Sequence, residues 1–180
     1  MKRRLFVAGL LIVIVSGMTG LLVFTPNPLG KKIIEKAKAR GYIAYTPDEA
    51  VELAYDRCTT CHGEEKVVKY CPRCGPPFIV TIHFMRKYVE IANVEGNKVE
   101  PFSDAELVAI AQVWNALVGN WEGDWPREDI KKLLENDGAL IRLFETPVKE
   151  RPIEKALQGR VAPGSYQRSD TPESKQEPYD

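Results

Sequence analysis

Histidine is almost missing from this chain: two residues in 180, His62 and His83. Hydrolytic catalysis by a Ser/His/Asp set therefore has little to build on. A basic excess is missing too. Lys plus Arg equals Asp plus Glu, and without Lys2, Arg3 and Arg4 the remainder is slightly acidic. Nucleic-acid binders normally show the opposite balance, so no nucleic-acid partner is expected. Strand signals are weak and no internal repeat occurs, which makes all-α the expected fold class. Methionine is scarce: beyond Met1 and Met18 there is only Met85.

One long hydrophobic run is present. Residues 5–24, LFVAGLLIVIVSGMTGLLVF, carry no charge and match the span of a bilayer core. They predict an N-terminal transmembrane anchor over residues 1–29. A secretory signal is the rival reading. The run exceeds an ordinary signal core, however, and no A-x-A-like cleavage site precedes Thr25. Charge gives a mixed answer on orientation. The leading MKRR keeps the N-terminus inside, whereas Lys31, Lys32, Lys36, Lys38 and Arg40 would by plain count put the following side inside. Long domains translocate despite such charge, and the cysteine chemistry favours the extracytoplasmic, periplasmic side.

After the anchor, residues 30–45 read as a short amphipathic juxtamembrane helix and linker. The stretch TPDEAVELAYDRC opens with a capping box, Thr46 with Glu49, and has Pro47 in the first turn. Ala50, Leu53 and Ala54 recur at helical spacing. A further helix is expected over about residues 78–93. Another starts at the second capping box, Ser103 with Glu106, with a stripe of Leu107, Ile110, Ala111, Trp114 and Val118, and ends at Gly119. Residues 125–144 predict one or two short helices around Asp137 and Gly138. The polar, proline-rich end over 159–180 predicts a disordered or partner-bound tail.

The chemistry concentrates in CTTCHG. Cys58, Cys61 and His62 form C-x-x-C-H, the attachment signature of c-type haem. Two cysteines at this spacing reach the two haem vinyl groups, and the adjoining histidine ligates the iron. With AYDRCTTCHG and FSDAELVAIAQVW, residues 46–118 resemble the class I monohaem cytochrome c family. The resemblance implies a haem domain over about 46–120 and a helical extension over 121–158. It implies covalent haem c on Cys58 and Cys61, with His62 as proximal iron ligand. It also implies single-electron transfer between redox protein partners, in a respiratory or photosynthetic chain, and no catalysis by the chain itself. The family usually carries its second ligand in the loop before the last helix, where this chain has no methionine. Met85 is the expected sixth ligand, because Phe78, Ile82, Met85, Val89 and Ala92 share one helical face. His83, grouped with Arg86, Lys87 and Glu90, is the alternative, and core filling by Met85 is the third account. Arg57 and Arg86 are candidate partners of the haem propionates. Trp121 and Trp125 are candidates to cover a haem edge or to meet a membrane or partner surface.

A second pair, Cys71 and Cys74, lacks a following histidine. A disulfide bracing the loop before the Met85 helix is expected outside the cytoplasm; a redox dithiol is a weaker account. Alternatively, all four cysteines bind zinc, since C-x2-C-x9-C-x2-C suits a tetrahedral site. That would make a membrane-tethered structural or interaction module, and KVVKY between the pairs would then supply a short strand.

Overall fold

The computed structural model describes residues 28–69 and 74–162. Eight α-helices and two single 3-10 turns occur among them, and no strand. The all-α expectation holds, and residues 66–68 of KVVKY, the stretch that a zinc site would have made a strand, belong to the helix Glu64–Val68. The chain divides into two compact units between Ala44 and Tyr45.

The first unit contributes helix α1, Pro28–Ala39. Its last turn closes at Gly41, whose φ of 75° is the left-handed conformation that glycine accepts at a helix end. Among the described residues no helix is long and apolar enough to cross a membrane. The expected anchor falls on residues 1–27, outside the described residues, apart from Pro28 and Leu29, which begin α1.

The second unit holds α2 (Pro47–Thr59), α3 (Glu64–Val68), α4 (Phe78–Val94), α5 (Asp104–Leu117), α6 (Arg127–Leu133), α7 (Gly138–Glu145) and α8 (Pro152–Leu157). Both capping boxes form. Thr46 and Glu49 bond reciprocally at the start of α2, and Ser103 and Glu106 at the start of α5, so two otherwise orphaned amides are satisfied at each end.

Helix α5 is the hub. It packs on α2, α4, α7 and α8. Leu107, Ala109, Ile110, Ala111, Val113, Trp114 and Leu117 are buried, and so are Gln112 and Asn115. A helix buried almost all round sits inside a bundle, not at its edge. The expected stripe was therefore too narrow, and α5 is central where the resemblance implied a terminal helix.

The helices expected as an extension after residue 120 belong to this same core. Ile130, Leu134, Leu140, Leu143, Phe144, Ile153 and Leu157 join Ala50, Ala54, Ile79 and Trp114 in one cluster. Polar groups of α5 fasten them. Gln112 Oε1 accepts the Ile153 and Glu154 amides (3.1 and 3.4 Å), capping the buried start of α8. Asn115 Nδ2 donates to Glu122 (2.8 Å). The Arg151 guanidinium, 2 % exposed, donates to Glu122 (2.7 and 3.0 Å) and to Glu154 (3.1 Å). Asn120 donates to the other Glu154 oxygen (2.7 Å). Burial raises the Glu154 carboxyl pKa, and the Asn120 and Arg151 hydrogen bonds offset part of that rise.

Candidate functional site

Cys58 lies in the last turn of α2, and Cys61 and His62 follow in the continuing turn. The amides of Cys61 and His62 both reach the Cys58 carbonyl (3.4 and 3.2 Å). The two threonines between the cysteines end the helix. Thr59 Oγ1 donates to the Tyr55 carbonyl (2.8 Å) and Thr60 Oγ1 to the Asp56 carbonyl (2.9 Å), adding side-chain donors to carbonyls of the last helical turn. Gly63 then leads into α3. The structure thus brings Cys58, Cys61 and His62 together on one helix end.

The two thiols are free but unlike. Cys61 is exposed, whereas Cys58 is half-buried and packs on the core. Burial pushes the Cys58 thiol pKa up. The Trp114 indole N–H and then the Arg57 charge offset part of this, and neighbouring Cys61 adds to the rise. Trp114 is fully buried, sits 5.1 Å from the Tyr55 ring, and has no hydrogen-bond partner of good geometry at Nε1. The Tyr55 hydroxyl is likewise buried without a partner. The His62 side chain is exposed and, among the described residues, makes no hydrogen bond or ion pair. Two reduced thiols at this spacing beside an uncommitted imidazole fit the donor set of a covalently held haem.

The other expected contributors sit elsewhere. His83, expected on the solvated side of α4, is 2 % exposed. Its Nδ1 lies 3.1 Å from Asp137 Oδ2 at the start of α7, and its Nε2 is buried without a partner. The buried side of α4 includes Phe78, Ile79, Val80, Ile82, His83 and Val89, while Met85 is only half-buried. Phe78, Ile82 and Val89 of the expected apolar face are buried, but His83 joins them and Met85 does not, because α5 and α7 both pack on this helix and Asp137 supplies the polar partner that lets an imidazole enter the core. The same helix leaves Phe84, Tyr88, Ile91 and Val94 exposed.

Both candidate propionate partners are already engaged. Arg57 donates to the Glu100 carbonyl (2.7 Å), lies 3.7 Å from Glu106 and stacks over Phe102 at 4.3 Å. Arg86 bridges Asp104 (2.6 Å) and Asp137 (3.2 Å). They tie helices together. Trp121 is buried edge-on to Phe78, with its N–H on the Gly75 carbonyl (3.1 Å), and Trp125 packs partly buried against the core. Trp121 is thus a core residue and not part of a membrane or partner surface.

Cys74 is disulfide-bonded, whereas Cys58 and Cys61 are not. Cys71 lies outside the described residues. A disulfide sulfur is not a thiolate, so Cys74 does not complete a four-cysteine zinc set. Among the described residues no group of three or more His, Cys, Asp or Glu side chains is arranged to hold a metal ion. Sequence reasoning missed the Arg151–Glu122–Glu154 network and the His83–Asp137–Arg86 cluster. The signal for the first was present in Gln112 and Asn115, polar residues on an otherwise apolar helix.

No protein-family model, no curated protein and no solved structure matches the chain.

Proposed function

We propose that this chain is a membrane-anchored monohaem c-type cytochrome that passes single electrons between redox protein partners, as a carrier or a subunit of a larger respiratory or photosynthetic complex. The observation that carries the reading is C-x-x-C-H on the end of a capped helix, with both thiols free and the imidazole exposed. Haem c, when bound, supplies a one-electron couple. Cys58 and Cys61 hold it through thioether bonds, and His62 gives an imidazole nitrogen to the iron. Trp114 and Tyr55 close the core behind Cys58 and keep water from that side.

Met85 is the sixth ligand in this reading. Met85 is only half-buried, whereas the His83 ring is hydrogen-bonded to Asp137 and enclosed. A thioether ligand raises the reduction potential relative to a second imidazole. The disulfide at Cys74 supports an oxidising compartment, and with it an extracytoplasmic haem domain on an anchor formed by residues 5–24. In the same reading Cys71 is the partner of Cys74.

The test is a pyridine haemochrome spectrum and a haem-stained denaturing gel of the full chain, made in cells competent for c-type haem maturation. One covalent haem per chain is the expected result; stoichiometric zinc without haem would overturn the reading. Met85→Ala should lose the low-spin spectrum, and an unchanged spectrum would remove Met85 as ligand.

A further inference from the structure

Helix α1 presents a stripe that the haem reading does not use. At about 100° per residue, Leu29, Lys32, Ile33, Lys36 and Arg40 fall on one strip of the helix surface. Arg40 follows the helix directly, its amide still on the Lys36 carbonyl (3.2 Å). All five are exposed, Leu29 at 60 % and Ile33 at 53 %. Glu35, the one acidic residue of the helix, lies off this strip with Lys31 Nζ 3.9 Å away. The buried residues, Gly30 and Lys38, lie on another side again. The strip therefore combines two aliphatic side chains and three cations with no acid.

A complementary surface must be anionic and have an apolar layer beneath the charge, which is the composition of a bilayer interface. Chain length selects this surface over an acidic protein. The uncharged run ends at Phe24, four residues before Pro28, so α1 starts no more than about 14 Å from its end. We infer that α1 lies along the membrane surface, with Leu29 and Ile33 in the acyl boundary and Lys32, Lys36 and Arg40 on anionic headgroups. The inference rests on the anchored reading above. It gives the protein a second membrane contact that depends on lipid charge.

The full chain reconstituted into vesicles tests both, with distinguishable failures. Resistance to alkaline carbonate extraction reports the anchor. Amide exchange over residues 28–40 reports α1, compared between vesicles of phosphatidylcholine alone and vesicles also containing phosphatidylglycerol. Each basic side chain near an anionic surface contributes about fivefold. The mixed vesicles should therefore slow exchange by at least about tenfold. High salt should abolish the difference, as should a K32E/K36E/R40E variant that still resists extraction. Equal exchange in both vesicle types overturns the inference even if the chain is anchored. A chain removed by carbonate overturns the anchor alone. Salt-sensitive protection on adding the phosphatidylglycerol vesicles then still supports the α1 contact, and its absence overturns it.

Discussion

Removing the Arg151 side chain would leave Glu122 and Glu154 facing each other in a dry interior, with the Thr146 carbonyl also losing its donor. Breaking a buried ion pair by deleting one partner costs about 3–5 kcal/mol. Arg151→Ala should lower the unfolding free energy by that amount in urea titration, whereas Arg160→Ala, on an exposed pair with Asp48, should cost less than about 1 kcal/mol. The two site thiols allow a second test at this scale. A raised pKa means less thiolate at a given pH, so near neutrality iodoacetamide should modify the exposed Cys61 faster than the half-buried Cys58 in the haem-free protein. The ratio should shrink at higher pH, as the Cys58 thiolate fraction catches up. Equal rates near neutrality would show that Cys58 is not held in the core.

The helices differ in what starts them. The capping boxes of α2 and α5 are local, made within four residues, and both were legible in the sequence. Ser103→Ala should cost about 1 kcal/mol, read as a shift in the urea midpoint without a change in slope. Asp137 also caps a helix, accepting the Leu140 amide (3.3 Å), but the same carboxylate holds His83 and Arg86 on α4. Asp137→Ala removes a cap, strands the buried His83 and leaves Arg86 with Asp104 alone, so its cost should be on the order of 3 kcal/mol. A cost equal to that of Ser103→Ala would mean that the contacts to α4 contribute nothing. This joining of α4 to α7 spans about fifty residues of chain, which no helical periodicity encodes. The same packing explains why His83 and Met85 depart from their expected faces while Phe78, Ile82 and Val89 keep theirs: periodicity shows which residues share a face, not how far a neighbouring helix covers it.

For the second unit as a whole, the single core decides how the chain can be cut. Trp121, Ile130, Leu140, Phe144 and Leu157 pack with Ala54, Phe78 and Trp114, and Ala162 donates to the Leu117 carbonyl (3.3 Å). A chain ending at Gly119 would expose α5 along two of its sides. It should lose the near-UV circular dichroism of its one remaining tryptophan, Trp114, and show no cooperative thermal transition, even with haem supplied. A truncated chain that melts cooperatively would show that residues 46–120 form a domain by themselves. The segment after residue 120 is thus a structural part of this unit.

The helical class, both capping boxes, the end of α5 at Gly119 and the C-x-x-C-H motif were all set by residues within a few positions of one another. Backbone hydrogen bonding, capping and motif spacing act over that range, so the amino-acid order alone determined them. Three things were decided only by tertiary packing: the central position of α5, the merging of the last helices into its core, and the engagement of Arg57, Arg86 and His83 as links between helices. Each depends on which surfaces meet across long stretches of chain. There the burial of apolar area and the need to pair every buried charge outweigh any local preference.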